Sequence, residues 1–233
     1  MNFENQLIPG LFVKRYKRFF ADVKVDNKII TVHCANSGSM MGLLNKNNKV
    51  WITESNNKKR KLKYTLQIIE DEKSKVGVNT HLTNKIAKHA LENNLIKDFT
   101  KNVIIKSEQV FGANTRFDFY LEDAKAKSFL EVKNVTLKRK SKIAEFPDSV
   151  TARGTKHLNE LINATKQGFK SYLLFVIQRE DCDKFMIAKD IDPQYSKTLI
   201  KAIKHNVKIL CYDCKFLSKG IILNKKIKFQ INE

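Results

Sequence analysis

The segment RFDFYLEDAKAKSFLEVKNVTL, residues Arg116 to Leu137, contains two runs in which polar and apolar residues alternate. Such alternation predicts two β-strands joined in a hairpin. Because successive side chains of a strand point to opposite faces, the first strand is expected to have a polar face and an apolar face. The polar set comprises Arg116, Asp118, Tyr120 and Glu122, and the apolar set comprises Phe117, Phe119 and Leu121.

The second strand of this hairpin carries Glu131 and Lys133 on a single face. With a turn around Ala124 and Lys125, the antiparallel register brings Asp118 close to a position opposite Glu131. Two carboxylates directly across a strand pair repel each other unless a positive group compensates them. A divalent cation is such a group, so the hairpin predicts a metal site. A solvated polar strand face is the alternative interpretation, because E-x-K alone is a weak motif.

Carboxylate and carbonyl oxygens suit Mg²⁺ or Mn²⁺, which we expect as the cofactor. Asp118 and Glu131 are the predicted carboxylate ligands, and the peptide carbonyl of Val132 is a further candidate. Glu108 is a candidate outer ligand, although an edge glutamate that faces water is an equally good interpretation. Lys133 is expected to hold the attacking water and to neutralise charge on a phosphorus-centred transition state. The predicted catalytic site for phosphodiester hydrolysis therefore comprises Asp118, Glu131 and Lys133.

The chain of 233 residues has a formal net charge of +20, from 44 Lys and Arg against 24 Asp and Glu. Such an excess favours a polyanionic partner, and we expect nucleic acid, DNA rather than RNA. A Lys-rich and Asn-rich composition can also arise from codon usage. No run approaches the ~20 apolar residues of a membrane span, and the first residues lack the features of a secretory signal. We therefore expect a cytoplasmic protein without a membrane partner.

The pattern of the chain changes near residues 74 to 80. Residues 1–77 read as short extended runs broken by Gly, Asn and Ser, which predicts a small β-barrel. A helix in NTHLTNKIAKHALENNLI then opens a second domain, residues 78–233, with Asn79 or Thr80 as its N-cap. The order that follows is three strands, a helix and a strongly apolar strand. We therefore predict an α/β (α+β) protein in which a barrel precedes a mixed sheet flanked by helices.

Two basic surfaces are predicted to bind nucleic acid. In KRYKRFF the cations alternate with aromatic residues, as in barrels that hold single strands by stacking and charge. In FPDSVTARGTKHLNEL a phosphate clamp is expected at the start of a helix, where free N–H groups favour anions. Ordinary surface residues, or an acid–base cluster with Asp148, are the alternatives for this second surface. The candidate residues are Lys14, Arg15, Lys17, Arg18, Arg116, Arg153, Lys156 and His157.

Nine blocks of this sequence, in the same order, resemble the sugar fermentation stimulation protein A family over nearly the whole chain. They are RYKRFFADV, HCANSGSM, RKLKYT, GVNT, TRFDFYLE, FLEVKNVTL, FPDSVTARGTKHLNEL, LLFVIQR and DP. The family often has Ser-Arg where this chain has Thr115 and Arg116, a small departure that keeps the hydroxyl group and the basic residue.

The resemblance implies an N-terminal OB-fold-like barrel joined to a PD-(D/E)XK nuclease-like domain, with the nuclease pattern on Asp118, Glu131 and Lys133. It also implies DNA binding, but it does not supply the physiological substrate. Two functions stay open at this point. The first is a metal-dependent nuclease, and the second is a non-catalytic DNA-binding protein, with a role in regulating sugar metabolism genes, that keeps the nuclease fold as a scaffold.

Overall fold

The computed structural model describes residues 1–112, 115–124 and 126–231. Its N-terminal part is a closed barrel of five antiparallel strands that are sealed by a parallel bridge between His33 and Thr65. A short sixth strand, β6 (Ser74–Gly77), extends the sheet beyond β5. The barrel strands are β1 (Ile8–Tyr16), β2 (Phe20–Val25), β3 (Lys28–His33), β4 (Lys49–Glu54) and β5 (Tyr64–Asp71). The predicted OB-fold-like barrel is confirmed.

The run LFVKRYKRFFADVKV reads as one extended stretch, but the structure divides it into β1 and β2. Lys17 and Arg18 form the turn with φ of 46° and 63°, in the left-handed region that non-glycine residues rarely adopt. The guanidinium of Arg15 donates to the carbonyl of Arg18 at 2.9 Å and holds this turn. A turn without Gly, Asn or Asp has no clear sequence signal, which is why the pattern did not reveal it.

A mixed six-stranded sheet forms the centre of the second part, in the order β15-β14-β12-β9-β8-β7. Its middle strands β9, β12 and β14 run parallel, and β7, β8 and β15 are antiparallel to their neighbours. The strands are β7 (Ile104–Phe111), β8 (Thr115–Glu122), β9 (Lys127–Val135), β12 (Lys170–Ile177), β14 (Lys208–Leu217) and β15 (Gly220–Lys226). The predicted mixed sheet is confirmed.

Helices cover both faces of this sheet. α1 (Thr83–Glu92) packs on one face, and α2 (Ala152–Lys166) and α3 (Pro193–Lys204) pack on the other. A single turn of 3-10 helix, Thr80–Leu82, precedes α1, and the side chain of Asn79 caps it by accepting from the His81 N–H. Asn79, one of the two residues predicted, is therefore the N-cap of this turn, whereas α1 itself follows Leu82 without a side-chain cap. Seven of the eight residues of β12 are buried, as expected for a parallel strand covered on both faces.

A second, four-stranded sheet was not predicted. It has the order β10-β11-β13-β16, and its strands are β10 (Leu137–Lys140), β11 (Ile143–Phe146), β13 (Lys184–Ile187) and β16 (Lys228–Gln230). These strands have three or four residues each, which is too short for alternation to be recognised. The sheet carries the chain from β9 to α2, so it sets where α2 begins. Among the described residues, no helix is long and apolar enough to cross a membrane.

A buried ion cluster joins the barrel to the second domain. Arg179, directly after β12, is 1% exposed and donates to Asp71 of the barrel at 2.6 Å and to Asp181 at 2.8 Å. Lys138 contacts Asp181 at 2.8 Å and Glu72 of the barrel at 2.7 Å. Burial alone would raise the pKa of Asp181, but hydrogen bonds from Arg179 and Lys138 outweigh it and lower that pKa. The cluster fixes one edge of the barrel against the ends of β9 and β12.

Asp181→Asn removes one charge from this cluster and leaves the Arg179 guanidinium only partly compensated. We expect the free energy of unfolding to fall by about 2–3 kcal/mol, because a buried charge loses an ionic partner. Urea unfolding followed by circular dichroism measures this change. Glu92→Gln, which breaks the exposed pair with Lys88, is the matched control and should cost less than about 0.5 kcal/mol. Equal effects of the two changes would contradict the proposed role of the cluster.

Candidate functional site

The β8–β9 hairpin has the predicted register. Glu122 pairs with Lys127, and the ladder continues to Phe119 opposite Leu130. One step further along the same register places Asp118 beside Glu131. The predicted turn includes Lys125, which lies outside the described residues, so only the register of the flanking strands tests this prediction.

Asp118 lies at the point where β8 and β9 separate. Its Oδ2 accepts a hydrogen bond from the backbone N–H of Val132 at 2.7 Å, where a paired strand would offer a carbonyl. Its Oδ1 accepts from the side-chain amide of Asn84, on the first turn of α1, at 2.7 Å. Because the N–H and C=O of one strand residue point to the same side, the Val132 carbonyl also faces this gap. The carboxylate is therefore fixed in the opening between the strands.

The side-chain alternation predicted for β8 is wrong at one point. Phe117 packs in the core beneath α2, whereas Phe119 packs in the core beneath α1, so the two rings do not share a face. Glu108, opposite Asp118 on β7, has a φ of +55°, which marks an irregularity in the neighbouring strand. The strand is therefore distorted at Asp118. This distortion directs the carboxylate into the gap instead of to a regular face of the sheet.

Glu131 is 2% exposed, and its two oxygens have different surroundings. Oε1 accepts from the Lys133 ammonium at 2.7 Å and contacts Nδ1 of His157 on α2. Arg153 donates from Nε to Nε2 of the same imidazole at 3.4 Å, which assigns the Nδ1 proton to the bond with Glu131. Oε2 is buried and has no hydrogen-bond partner among the described residues. A buried carboxylate oxygen without a partner is costly, so Oε2 is the atom that a ligand would satisfy.

The two carboxylates differ in pKa. Burial, followed by the nearby charge of Glu131, raises the pKa of Asp118 to about 6, although hydrogen bonds from Val132 and Asn84 oppose this. Burial would also raise the pKa of Glu131, but the Lys133 ammonium and His157 outweigh it and lower that pKa. Glu131 therefore stays ionised, and Asp118 gives up its proton only near neutral pH unless a cation is present.

The predicted residues around this pair occupy one open groove with a volume of about 520 Å³, which Asp118 and His157 also line. Arg116 and Glu108 form an exposed ion pair at 3.6 Å on its rim. Arg153 and Lys156 are exposed on its α2 side. The groove therefore combines the acids Glu108 and Asp118 with three cationic side chains.

The position of α2 differs from the prediction. The helix begins at Ala152, with Thr151 as its N-cap, so Lys156 and His157 lie in its second turn rather than at its start. The free N–H groups of the first turn therefore do not belong to these two residues. His157 is buried against Glu131, whereas Arg153 is the cation of the first turn. The contact between His157 and Glu131 is not visible in the sequence, because the two residues lie 26 positions apart.

The N-terminal cations are dispersed over the barrel. Arg15 donates to the carbonyls of Asn36 at 2.7 Å and Gly38 at 3.0 Å, so it stabilises the loop after β3. Lys14 lies 3.8 Å from Asp22. Arg18 lines a second groove, of about 450 Å³, between the barrel and the second domain.

This second groove also includes Arg153, which thereby belongs to both grooves. Lys17 is exposed in the β1–β2 turn next to Arg18. Of the predicted barrel cations, Arg18 is thus the one that lines a groove together with Arg153.

The donor set at the carboxylates fits a small divalent cation. Among the described residues, no group of three or more His, Cys, Asp or Glu side chains is arranged to hold a metal ion. Mg²⁺ commonly takes only one or two protein carboxylates and completes its shell with water and phosphate oxygens. Glu131 Oε2, the Asp118 carboxylate and the Val132 carbonyl would supply such a partial set. Glu108 lies further out, on the rim of the groove.

Asn84 is a site residue that sequence reasoning missed. It lies five residues after Asn79 at the start of α1, and its hydrogen bond reaches across 34 residues to Asp118. In an Asn-rich chain, no local feature distinguishes it from the other asparagines. Helical periodicity shows only that this residue lies outside the apolar stripe of α1.

Comparison with known proteins agrees with this architecture. Residues 13–78 match the family described as the SfsA N-terminal OB domain, and residues 81–220 match the sugar fermentation stimulation protein RE domain. A sugar fermentation stimulation protein homolog from Pelagibacter ubique is 56% identical over 228 residues, 98% of each chain. A homolog from Bartonella quintana is 42% identical over 232 residues, 99% of each chain.

A solved structure has the same fold. It is SfsA from Pyrococcus furiosus in complex with Ca²⁺, which is 26% identical in sequence and superimposes with a TM-score of 0.90. The match covers 99% of this chain and 98% of that protein. The similarity therefore includes both the barrel and the second domain.

The raised pKa of Asp118 has a measurable consequence. In the metal-free protein we expect its ¹³Cγ resonance to titrate with a midpoint of about 6. Since the folded-state pKa exceeds the unfolded value, the wild type should lose stability relative to Asp118→Asn as pH rises from about 4 to above 6. We expect a relative loss on the order of 1–3 kcal/mol, measured by urea unfolding at both ends of this range. If the wild type and Asp118→Asn differ in unfolding free energy by the same amount at both pH values, the raised pKa of Asp118 is contradicted.

Proposed function

This chain belongs to the sugar fermentation stimulation protein family, and we propose that it is a divalent-metal-dependent phosphodiesterase acting on nucleic acid. DNA is the expected substrate rather than RNA. The observation that carries the proposal is the buried Oε2 of Glu131, which has no partner in the part of the chain that the structure describes and belongs to a carboxylate beside Asp118. Two neighbouring carboxylates, one of them with an unsatisfied oxygen, are suited to a cation ligand.

Asp118, Glu131 and the carbonyl of Val132 would hold the cation, with Mg²⁺ or Mn²⁺ as the expected metal. When bound, such a metal supplies Lewis acidity towards a phosphate oxygen and lowers the pKa of a bound water. The Ca²⁺ complex of the Pyrococcus furiosus protein supports a divalent-cation site in a chain of this fold. Binding of a cation would also favour the ionised form of Asp118, whose pKa is otherwise raised.

The remaining side chains position these groups. Asn84 and the Val132 N–H each donate to Asp118 at 2.7 Å, so they fix both carboxylate oxygens. His157 binds Glu131 Oε1 and leaves Oε2 free. The Lys133 ammonium, 2.7 Å from the same Oε1, is the candidate to orient the attacking water and to neutralise negative charge on the transition state.

The groove beside the carboxylates supplies cations for the phosphate backbone. Arg116, Arg153 and Lys156 line it. Arg153 also lines the groove that reaches Arg18 on the barrel, so a strand bound across both grooves would contact these two cations. The net charge of +20 supports the same type of partner.

One observation favours the alternative, a non-catalytic DNA-binding protein. Glu131 is already compensated by Lys133 and His157, so part of the repulsion at the site is neutralised without a metal. In such a binder Asp118→Ala should improve nucleic-acid binding, because a repulsive charge is removed. A nuclease should instead lose metal affinity and cleavage and keep much of its salt-dependent binding.

A cleavage assay decides between these two functions. End-labelled linear and circular DNA and RNA are incubated with Mg²⁺ or Mn²⁺, and with EDTA as the metal-free reference. We expect products only with metal, and we expect Asp118→Asn and Glu131→Gln each to reduce the rate by about 100-fold or more.

Glu122→Gln is the matched control, since Glu122 lies on the same hairpin but at the far end of β8 from Asp118. It should retain nearly full activity. If every substrate survives while a gel-shift assay still shows binding, the nuclease assignment is wrong and the non-catalytic function is favoured.

His157→Gln tests the positioning role of the imidazole. Because a group that orients a metal ligand typically contributes 10–100-fold to metal affinity or activity, we expect a loss within about that range. Metal affinity is measured by isothermal titration calorimetry with Mn²⁺, and folding by circular dichroism. Lys156→Gln, on the neighbouring exposed position, should weaken nucleic-acid binding but leave Mn²⁺ affinity within about twofold of the wild type. A His157→Gln protein with unchanged Mn²⁺ affinity would contradict this role.

A further inference from the structure

A larger groove lies between the barrel and α1. The proposed hydrolysis does not use it. Its volume is about 820 Å³, and the end of β3, the β4–β5 loop, the N-terminal residues and α1 enclose it. Both acidic and basic side chains line it, among them Glu4, Arg60, Lys85, Lys88 and Glu92.

The charges in this groove are unevenly compensated. Lys85 pairs with Glu4 at 2.7 Å and Lys88 with Glu92 at 3.8 Å, so the α1 side is neutralised. On the barrel side, Arg60 donates to the hydroxyl of Thr65 at 3.1 Å. Among the described residues, no carboxylate lies within ion-pair distance of the Arg60 guanidinium.

Two imidazoles adjoin this guanidinium. The rings of His33 and His81 lie 6.3 Å apart, and burial, followed by the charges of Arg60 and His81, lowers the pKa of His33. The one other acid of the groove, Glu54, is exposed and makes no ion pair with a described residue. An anion bound beside Arg60 would favour the protonated form of these imidazoles, because an opposite charge nearby stabilises the charged form.

The floor of the groove is polar and ordered. Asn79 donates to Gln67 at 2.8 Å, and Gln67 donates to Thr53 at 2.7 Å, and all three side chains are buried. His89, further along α1, has a buried Nδ1 to which no described residue hydrogen-bonds. A preformed floor with a few placed polar groups is typical of a ligand pocket.

An aromatic surface borders the groove at its barrel end. Phe19, in the β1–β2 turn, is 42% exposed and stacks on His33 with ring centroids 6.5 Å apart and planes 29° from parallel. The rings of Phe19, His33 and His81 therefore form a continuous row next to Arg60. A row of planar rings beside an uncompensated guanidinium matches a ligand that joins a phosphate to a planar base.

We propose that this groove binds a nucleoside phosphate, with the phosphate on Arg60 and the base on the Phe19–His33–His81 row. The ligand is either a free nucleotide or one unit of a nucleic-acid strand, which present the same chemistry. The inference does not rest on hydrolysis, because the groove and the carboxylate pair share no residue.

The test measures binding to Asp118→Asn protein in EDTA, so that its outcome is separate from any cleavage. The probes are adenosine 5′-monophosphate, ribose 5-phosphate and a 5′-phosphorylated hexathymidylate. Calorimetry gives the affinities, and the imidazole ¹H–¹³C spectrum reports the location, since the chain has only five histidines to resolve.

We expect the nucleotide or the hexamer to shift the His33 and His81 resonances. Arg60→Gln should weaken binding by about tenfold or more, because a charge-assisted hydrogen bond is lost. His81→Gln is a second variant at an exposed position. Lys28→Gln, on the barrel outside the groove, removes the same charge and should change the affinity by less than about twofold.

Tighter binding of the hexamer than of the mononucleotide would identify a strand as the ligand, and equal affinities would identify a free nucleotide. The proposal is overturned if no probe shifts the two histidines at millimolar concentration. It is also overturned if ribose 5-phosphate binds as tightly as the nucleotide, or if Arg60→Gln and His81→Gln both bind as the wild type does.

Discussion

The hydrogen bond from the Val132 N–H to the Asp118 carboxylate determines the geometry of the site. The Asp118 carboxylate accepts the hydrogen bond that a backbone carbonyl would accept in a paired strand, so β8 and β9 separate at this point. Separation exposes the peptide between Glu131 and Lys133 to a groove instead of to a neighbouring strand. The Asp118 carboxylate and the Val132 carbonyl therefore face the same opening, because the β8–β9 ladder stops at the pair Phe119–Leu130.

Compensation of charge accounts for the rest of the site. Burial disfavours the ionised form of both carboxylates. Glu131 has Lys133 and His157 as partners, whereas the hydrogen-bond donors to Asp118 are neutral. The two groups therefore differ in pKa although they are of the same chemical type. This asymmetry favours a site where one carboxylate is permanently ionised and the second responds to the arrival of a cation.

The buried Arg179 cluster relates the barrel to this site. Arg179 follows β12 directly, β12 lies beside β9, and the guanidinium binds Asp71 of the barrel. Asp148, just before α2, adds a second connection, since its carboxylate accepts from the Met40 N–H at 3.1 Å and fills the space beside Gly38. A side chain at Gly38 would place its Cβ 2.4 Å from that carboxylate. These two connections therefore fix the position of the basic surface of the barrel relative to that of the second domain.

The sequence by itself determined the barrel, the mixed sheet, the helix cap at Asn79 and the register that brings Asp118 near Glu131. Alternation, periodicity and turn residues are local, so a single strand or hairpin reveals them. It could not show that β8 is distorted at Asp118, or that His157 and Asn84 bind the carboxylates. Those contacts join residues that are 26 and 34 positions apart, and they depend on how the helices pack across the sheet. Only the tertiary structure decided them, because packing selects among side-chain contacts that no local pattern records.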